Sequence, residues 1–303
     1  MSAKYLNPYT DFGFKRLFGE EASRELLIDF LNQLLPTHHQ VAELSFKSPE
    51  KLPSTSKERK AIFDIYCHTQ DGQRFIVEMQ KARLNFFKDR ALFYSTFPIK
   101  EQARKGIWNF ELMPVYCIAI LNFRYDETEE IAKFRRDVCL KDQDGDVFFD
   151  KLHFKFLQMP LFNKQEHELT THFDKWVYFL KHLETLDHIP AILNEPIFQK
   201  GFEIAELAQL SPKQFDAYQK SLLEYWDVEN VSETAFEDGL NKGLVKGLAQ
   251  GRIEGKIEGK IEGQREAQQA MAKTMLVEGL SAELIAKITG LSLSDIQQLN
   301  ANL

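Results

Sequence analysis

The stretch that most constrains this chain is Arg59–Gln80, RKAIFDIYCHTQDGQRFIVEMQ. Two short apolar runs, Ala61–His68 and Arg74–Gln80, flank Gln70-Asp71-Gly72, which reads as a β-hairpin. A three-residue loop with Gly72 in the left-handed region pairs Thr69 with Gln73 and sets Asp64 opposite Glu78. Side chains alternate along strands. Phe63, Ile65, Cys67, Phe75, Val77 and Met79 therefore make an apolar face directed at the core, and Ile62, Asp64, Tyr66, Ile76, Glu78 and Gln80 make the other. Directly opposed Cβ atoms lie roughly 4.5–5.5 Å apart, and like charges at that distance are destabilising unless a cation lies between them. Hard oxygen ligands so placed suit Mg²⁺, which takes one or two carboxylates and keeps waters for a substrate phosphate. The alternative is two unrelated acids on an exposed face. Ile62 and Ile76 argue that this face is partly covered.

The chain has 303 residues, enough for two domains. Its 25 phenylalanines predict an aromatic-rich core. The net charge of −7 argues against a general polyanion binder and leaves room for a nuclease with a local basic cleft. No apolar run reaches membrane-spanning length, and MSAKYLNPYTDFGFKR lacks an apolar signal core, so a cytoplasmic protein without membrane contact is expected. Cys67, Cys117 and Cys139 have no metal-ligand spacing and read as reduced thiols, and no histidine pair at i, i+4 suggests zinc.

Along the chain, Asn7-Pro8-Tyr9-Thr10-Asp11 opens with turn chemistry and a helical pattern follows, stopped by Pro36. Val41–Lys47 reads as a strand, Ser48–Glu58 as a polar loop, about Asn85–Lys105 as a helix, and Pro114–Phe123 as a buried strand. The resulting order, αβββαβ, predicts an α/β fold with a mixed sheet flanked by helices over residues 1–160. Within Asp137–Gln158, an acidic turn at Asp142–Asp146 precedes an alternating run, His153–Leu157, expected as an edge strand. A helical extension, 161–231, includes helices at Ile192–Leu210 and Gln214–Trp226, the latter opened by Ser211-Pro212.

Residues 232–266 carry glycine at 239, 243, 247, 251, 255, 259 and 263. Each costs a helix about 1 kcal/mol relative to alanine, so the segment is either a flexible tether or a long helix that packs closely on a partner. The helix is preferred, as the element through which the chain forms a homo-oligomer, a dimer. In the tail, 267–303, Ser281 and Ser292 with Asp295 cap two short helices, and Ala286, Gly290 and Ile296 have helix-turn-helix offsets. The second of these helices has no Lys or Arg, so an assembly module is favoured over a DNA reader.

NPYTDFGFKRLFG, the Asp64…Glu78-Met79-Gln80 hairpin, KDRALFYSTFPIKEQARKGIWNF and PVYCIAILNF together resemble the Rpn family of recombination-promoting nucleases, transposase-like members of the PD-(D/E)XK nuclease superfamily. The resemblance is close over Asn7–Phe123, and the middle helices, glycine repeat and short tail are similar to the family's continuation. It implies a restriction-endonuclease-like core and metal-dependent hydrolysis of DNA phosphodiesters, with Mg²⁺ or Mn²⁺ as cofactor and a role in recombination or mobile elements. Asp64 matches the metal-binding aspartate and Glu78 the second acid. Gln80 stands where the superfamily most often has lysine: it can orient a water but adds no positive charge. Lys81 lies on the opposite strand face unless the strand has ended, so Lys15, Arg90 or a second metal is the expected source of charge. Arg90 and Tyr94, one helical turn apart, are candidates for phosphate contact and ligand orientation, the alternative being a surface arginine beside a packed tyrosine. Asp11 and Lys15 also share a helical face, with Asp11 expected to serve the helix start. The alternative function is an inactive nuclease fold acting as a DNA-binding or assembly protein.

Overall fold

Thr10 opens the first helix, α1 (Asp11–Phe18): its hydroxyl accepts from the Gly13 N–H, while Asp11 sits in the first turn and pairs with Lys15 at 2.8 Å. Asp11 is thus a first-turn acid and not the cap. Helix α2 (Arg24–Asn32) buries Leu26, Leu27, Phe30 and Leu31. The computed structural model describes residues 3–51, 61–82, 86–103, 106, 108–125, 128 and 132–301. Most of the Ser48–Glu58 loop and both ends of the expected helix, Asn85 and Lys105, lie outside them.

Next come β1 (Ser45–Phe46), the only part of Val41–Lys47 that is strand, then β2 (Glu50–Lys51), β3 (Ala61–Ile62), β4 (Ile65–His68) and β5 (Arg74–Gln80). The hairpin register is as read: Ile65 pairs with Val77 and His68 with Arg74, and Gly72 has φ +91°. The first strand is interrupted, however. β3 pairs with β2, and Phe63-Asp64 lies between β3 and β4. Strict alternation fails across that break, so Phe63 joins Tyr66 and Ile76 in place of Ile65 and Cys67.

Helix α3 (Phe87–Lys100) makes the crossover that a parallel pairing of β5 with β6 (Val115–Leu121) requires. β6 is buried along its whole length, as a central parallel strand should be. β7 (Arg135–Lys141) and β8 (Val147–Gln158) form an antiparallel hairpin whose second strand pairs parallel with β6. The sheet order is β1-β4-β5-β6-β8-β7. His153–Leu157 is therefore interior and β7 is the edge. Charges at Asp150, Lys151 and Lys155 mask β8 in the sequence, and buried Lys155 is matched by Asp137 at 2.9 Å.

One face of the sheet carries the larger core. Phe14, Phe18 and Phe30 meet Trp176 and Phe179 of α4 (His172–His182) and Phe198 of α5 (Pro196–Ala205). The expected single helix Ile192–Leu210 is in fact α5 between two 3₁₀ turns. The other face packs Phe63, Tyr66, Cys117, Phe154 and Phe156 under α3.

Helix α6 (Pro212–Val277) is continuous, merging the expected helix Gln214–Trp226 with the glycine repeat. By contacts the chain divides into two units, Met1–Ser232 and Glu233–Leu303. In the second, α7 (Ala282–Thr289) is capped by Ser281, Gly290 closes it at φ +75°, and α8 (Leu293–Ala301) follows. A third helix contributes: Ala272, Met275 and Leu276, at the end of α6, pack with Ile285, Leu291 and Ile296. Among the described residues no helix is long and apolar enough to cross a membrane.

Gly13 shows why α1 begins as it does. A Cβ there would lie 2.1 Å from the Asn7 carbonyl oxygen. Asn7 ties the amino terminus to distant elements through Glu184 at 2.7 Å and the Tyr218 hydroxyl at 2.9 Å. Gly13→Ala must displace backbone, and overpacking of this kind costs about 3 kcal/mol. Urea denaturation of the full chain should show that loss; an unchanged midpoint would mean the turn is not fixed as described.

Candidate functional site

The break at Phe63-Asp64 leaves two β5 positions without ordinary ladder partners, and the acids fill in. The Met79 N–H donates to Asp64 Oδ2 at 2.7 Å, and the Asp64 N–H donates to Glu78 Oε1 at 3.2 Å. The Glu78 side chain is thus held by the Asp64 backbone, and the Asp64 side chain by the backbone of the residue after Glu78. Gln80 is on the same strand face, and its Nε2 donates to Glu78 Oε2 at 2.8 Å.

Glu78 is buried and Asp64 half-buried. Burial, reinforced by the charge of Asp64, pushes the Glu78 carboxyl up to about 8, although Arg90, the Asp64 N–H and Gln80 pull the other way. Burial also raises Asp64, against the Met79 hydrogen bond, with Asp11 adding to the rise and Lys15 and Lys81 opposing it. Two acids that raise one another's proton affinity by proximity and desolvation form a site short of positive charge.

A cavity of about 20 Å³ lies against Glu78 and Gln80, walled by Arg90 and Tyr94 of α3 and by Cys117 and Ala119 of β6. That is room for a water or a bare ion and too little for a phosphodiester. The Arg90 guanidinium stacks on Tyr94, 4.9 Å from the ring centroid, and its buried Nε has no hydrogen-bond partner. Tyr94 is in turn held edge-on to Phe63 at 5.1 Å, so the displaced phenylalanine props the wall of the site.

The expected residues therefore assemble in two groups. Glu78, Gln80, Arg90 and Tyr94 line one cavity, to which Asp64 is joined through the hydrogen bond from its N–H to Glu78, while the Asp11–Lys15 pair is felt by Asp64 through its charge. Lys81 is the addition: β5 ends at Gln80, so Lys81 is released from strand alternation and its charge also reaches Asp64. Paired acids and a water-sized cavity fit a small divalent cation with its waters. The two carboxylates would hold it. Among the described residues no cluster of three or more His, Cys, Asp or Glu side chains forms a metal site, so water or backbone would complete the coordination.

The family described as PD-(D/E)XK nuclease family transposase matches residues 8–235, well over half the chain. The C-terminal HTH domain of the Rpn/YhgA-like nuclease family matches residues 265–301, which include the end of α6 together with α7 and α8. No curated protein and no solved structure matches the chain. With the mixed sheet, the converging acids and these two matches, the chain belongs to the PD-(D/E)XK nuclease family transposases and carries the C-terminal helix-turn-helix domain of the Rpn/YhgA-like nucleases.

Proposed function

We propose that the chain is a cytoplasmic, metal-dependent DNA endonuclease that hydrolyses phosphodiester bonds in recombination or mobile-element transactions, with Mg²⁺ or Mn²⁺ as its cation. The observation that carries this is the linkage of half-buried Asp64 to buried Glu78, the Asp64 N–H donating to Glu78 and the Met79 N–H donating to Asp64, with Glu78 lining a cavity the size of an ion. A bound divalent cation would polarise a phosphoryl oxygen and lower the pKa of a coordinated water. The chain's own residues do the positioning. Asp64 and Glu78 act as ligands, Gln80 fixes the orientation of Glu78, and Arg90 provides the charge that Gln80 lacks. Tyr94 holds the Arg90 plane by stacking. Half-buried Asp64, with Lys15 and Lys81 acting on it, marks the side from which a phosphodiester approaches. The tail adds DNA contact through its helix-turn-helix.

Gln80 favours one rival, a nuclease fold without activity that binds or organises DNA. Plasmid nicking in Mg²⁺ and in Mn²⁺ separates the two. The wild type should nick with either cation, and Asp64→Ala should lose at least ~100-fold, since loss of a partner that merely orients a metal ligand already costs about 10–100-fold. Cleavage by Asp64→Ala at the wild-type rate removes the hairpin from the mechanism; tight DNA binding with no nicking in either cation establishes the rival.

The raised Glu78 carboxyl gives a second expectation. An acid whose pKa moves from 4.5 to about 8 on folding binds more protons folded than unfolded between those values, so stability falls as pH rises through that window. In EDTA the Tm of the wild type should drop from pH 5 to pH 8.5, Glu78→Gln should flatten the drop, and Mg²⁺ should restore stability at the higher pH. Equal pH dependence in wild type and Glu78→Gln would show that this carboxyl is not buried as described.

The repeat helix supplies the dimer. Ile253, Ile257 and Ile261 are 54–61% exposed. Each is preceded by a cation (Arg252, Lys256, Lys260) and followed by a glutamate (Glu254, Glu258, Glu262), placing opposite charges about 100° to either side of the apolar row. In a parallel pair each cationic flank meets the partner's acidic flank, as e and g positions do in coiled coils, whereas an antiparallel pair sets like charges together. Sedimentation should show a dimer that Glu258→Lys weakens and that serine at 253, 257 and 261 abolishes. A wild type that stays monomeric at about 10 μM, or a serine variant still dimeric, excludes this helix as the interface.

A further inference from the structure

Helix α6 begins inside the first unit, and its opening turns carry Tyr218, Ser221, Tyr225 and Glu229. Steps of three, four and four residues put all four on one side of the helix. Glu229 is exposed, whereas Tyr218, Ser221 and Tyr225 are buried although each ends in a hydroxyl. Buried polar groups need partners, and these find theirs on two elements that bear on the acid pair.

Two of the contacts go to the start of α1. The Tyr218 hydroxyl accepts from the Asn7 N–H at 2.9 Å, and the Ser221 hydroxyl accepts from the Phe12 N–H at 3.1 Å. They fix the beginning of the helix on which Asp11 and Lys15 stand, whose charges act on Asp64. The other two contacts go to the end of β6. Asn122 Nδ2 donates to the Tyr225 hydroxyl at 3.2 Å and to Glu229 Oε1 at 2.8 Å. Asn122 in turn holds β5. The last pair of the parallel ladder is Gln80 with Leu121, and the Asn122 N–H adds one more rung by donating to the Gln80 carbonyl at 2.9 Å.

A path of hydrogen bonds thus runs from α6 to the acids. Glu229 and Tyr225 hold the Asn122 carboxamide, the Asn122 backbone holds the Gln80 carbonyl, and the Gln80 carboxamide holds Glu78 Oε2. The added rung matters because β5 ends at Gln80 and chain segments open most easily at their ends. A Gln80 whose backbone swings away cannot keep its 2.8 Å contact with Glu78. The same helix face that steadies this corner also steadies α1, so it sets where Lys15 stands relative to the end of β5.

We propose that Asn122, Tyr225 and Glu229 are positioning residues for Gln80 and Glu78, a brace by which α6 holds the end of β5. Its consequence for cation binding and cleavage rests on the nuclease reading, whereas the order it imposes on β5 does not.

The test uses the full chain and the double variant Tyr225→Phe, Glu229→Ala, which removes both acceptors of the Asn122 carboxamide and keeps the tyrosine's ring. In EDTA, hydrogen exchange followed by mass spectrometry should quicken about tenfold in peptides covering 78–82 and 121–123, the scale of a lost hydrogen bond to a charged group. Peptides from β8 should be unchanged. Tyr225→Phe combined with Glu229→Gln keeps an acceptor for Asn122 and should restore most of the protection. Mn²⁺ affinity, followed by electron paramagnetic resonance, should fall about tenfold in the first variant and recover in the second, as for partners that orient metal ligands. A merely structural change would not be rescued by glutamine and would quicken β8 as well. Unchanged exchange at 78–82 and 121–123, equal quickening in β8, or quickened local exchange with Mn²⁺ affinity unaltered overturns the proposal. Plasmid nicking by the wild type is read separately. Nicking with none of these local changes in the variants removes the brace and leaves the nuclease reading standing, and the local changes without nicking do the reverse.

Discussion

Everything at the candidate site follows from one exchange of hydrogen bonds. Where the strand is interrupted at Phe63-Asp64, β5 still has a buried N–H at Met79, and a buried donor must find an acceptor. Asp64 supplies it with a carboxylate oxygen at 2.7 Å, and its own N–H is taken up by Glu78 at 3.2 Å. The ladder is completed by two acidic side chains, and completing it forces the acids together. Asparagine and glutamine could satisfy the same backbone groups without electrostatic conflict. Acids there raise one another's proton affinity while buried, a cost that a cation would cancel.

The charge around this pair is distributed in a way the hairpin alone does not reveal. Gln80 cannot neutralise Glu78, yet by donating to Oε2 it fixes the carboxylate's orientation. Arg90 reaches the same carboxylate from α3, and its stacking on Tyr94 restricts where the guanidinium can go. Lys15 and Lys81 act on Asp64 from other elements. Positive charge is thus spread over three elements where a single lysine on β5 would have concentrated it, so each contribution is weaker and more dependent on the positions of α1 and α3.

Much of this was legible in the sequence. Gly72 determines the loop, the loop determines the register, and Asp64 and Glu78 follow. The grouping of Arg90 with Tyr94 follows from helical spacing. The interruption at Phe63 was not legible, because it arises from pairing between β3 and β2, a contact that alternation along one strand does not encode. For the same reason alternation puts Phe63 on the wrong face. The interior position of β8 was hidden by its charges, since buried Lys155 looks like a surface residue until Asp137 is placed beside it. The third helix of the tail was hidden by continuity: Ala272 and Met275 carry no punctuation separating them from the repeat, and only packing against Ile285 and Ile296 distinguishes them.

The same spacing logic explains why the glycine repeat is not read by helix propensity. Glycine every fourth residue, with Arg or Lys, Ile and Glu in the three positions between over Gly251–Gly263, gives four rows that wind around the helix at a common pitch. Within Arg252–Glu262 every i, i+4 charge pair is like-charged and no i, i+3 pair is opposite, so the isolated helix loses the side-chain support that ordinary charged helices have. A sequence selected for a solitary helix would interleave these charges and replace the glycines with alanine, since none of the repeat glycines meets a neighbour that a Cβ would disturb. Segregated rows are unfavourable along one chain and complementary between two parallel chains. The pattern therefore supports the proposed pairing of two copies more than it supports the helix itself.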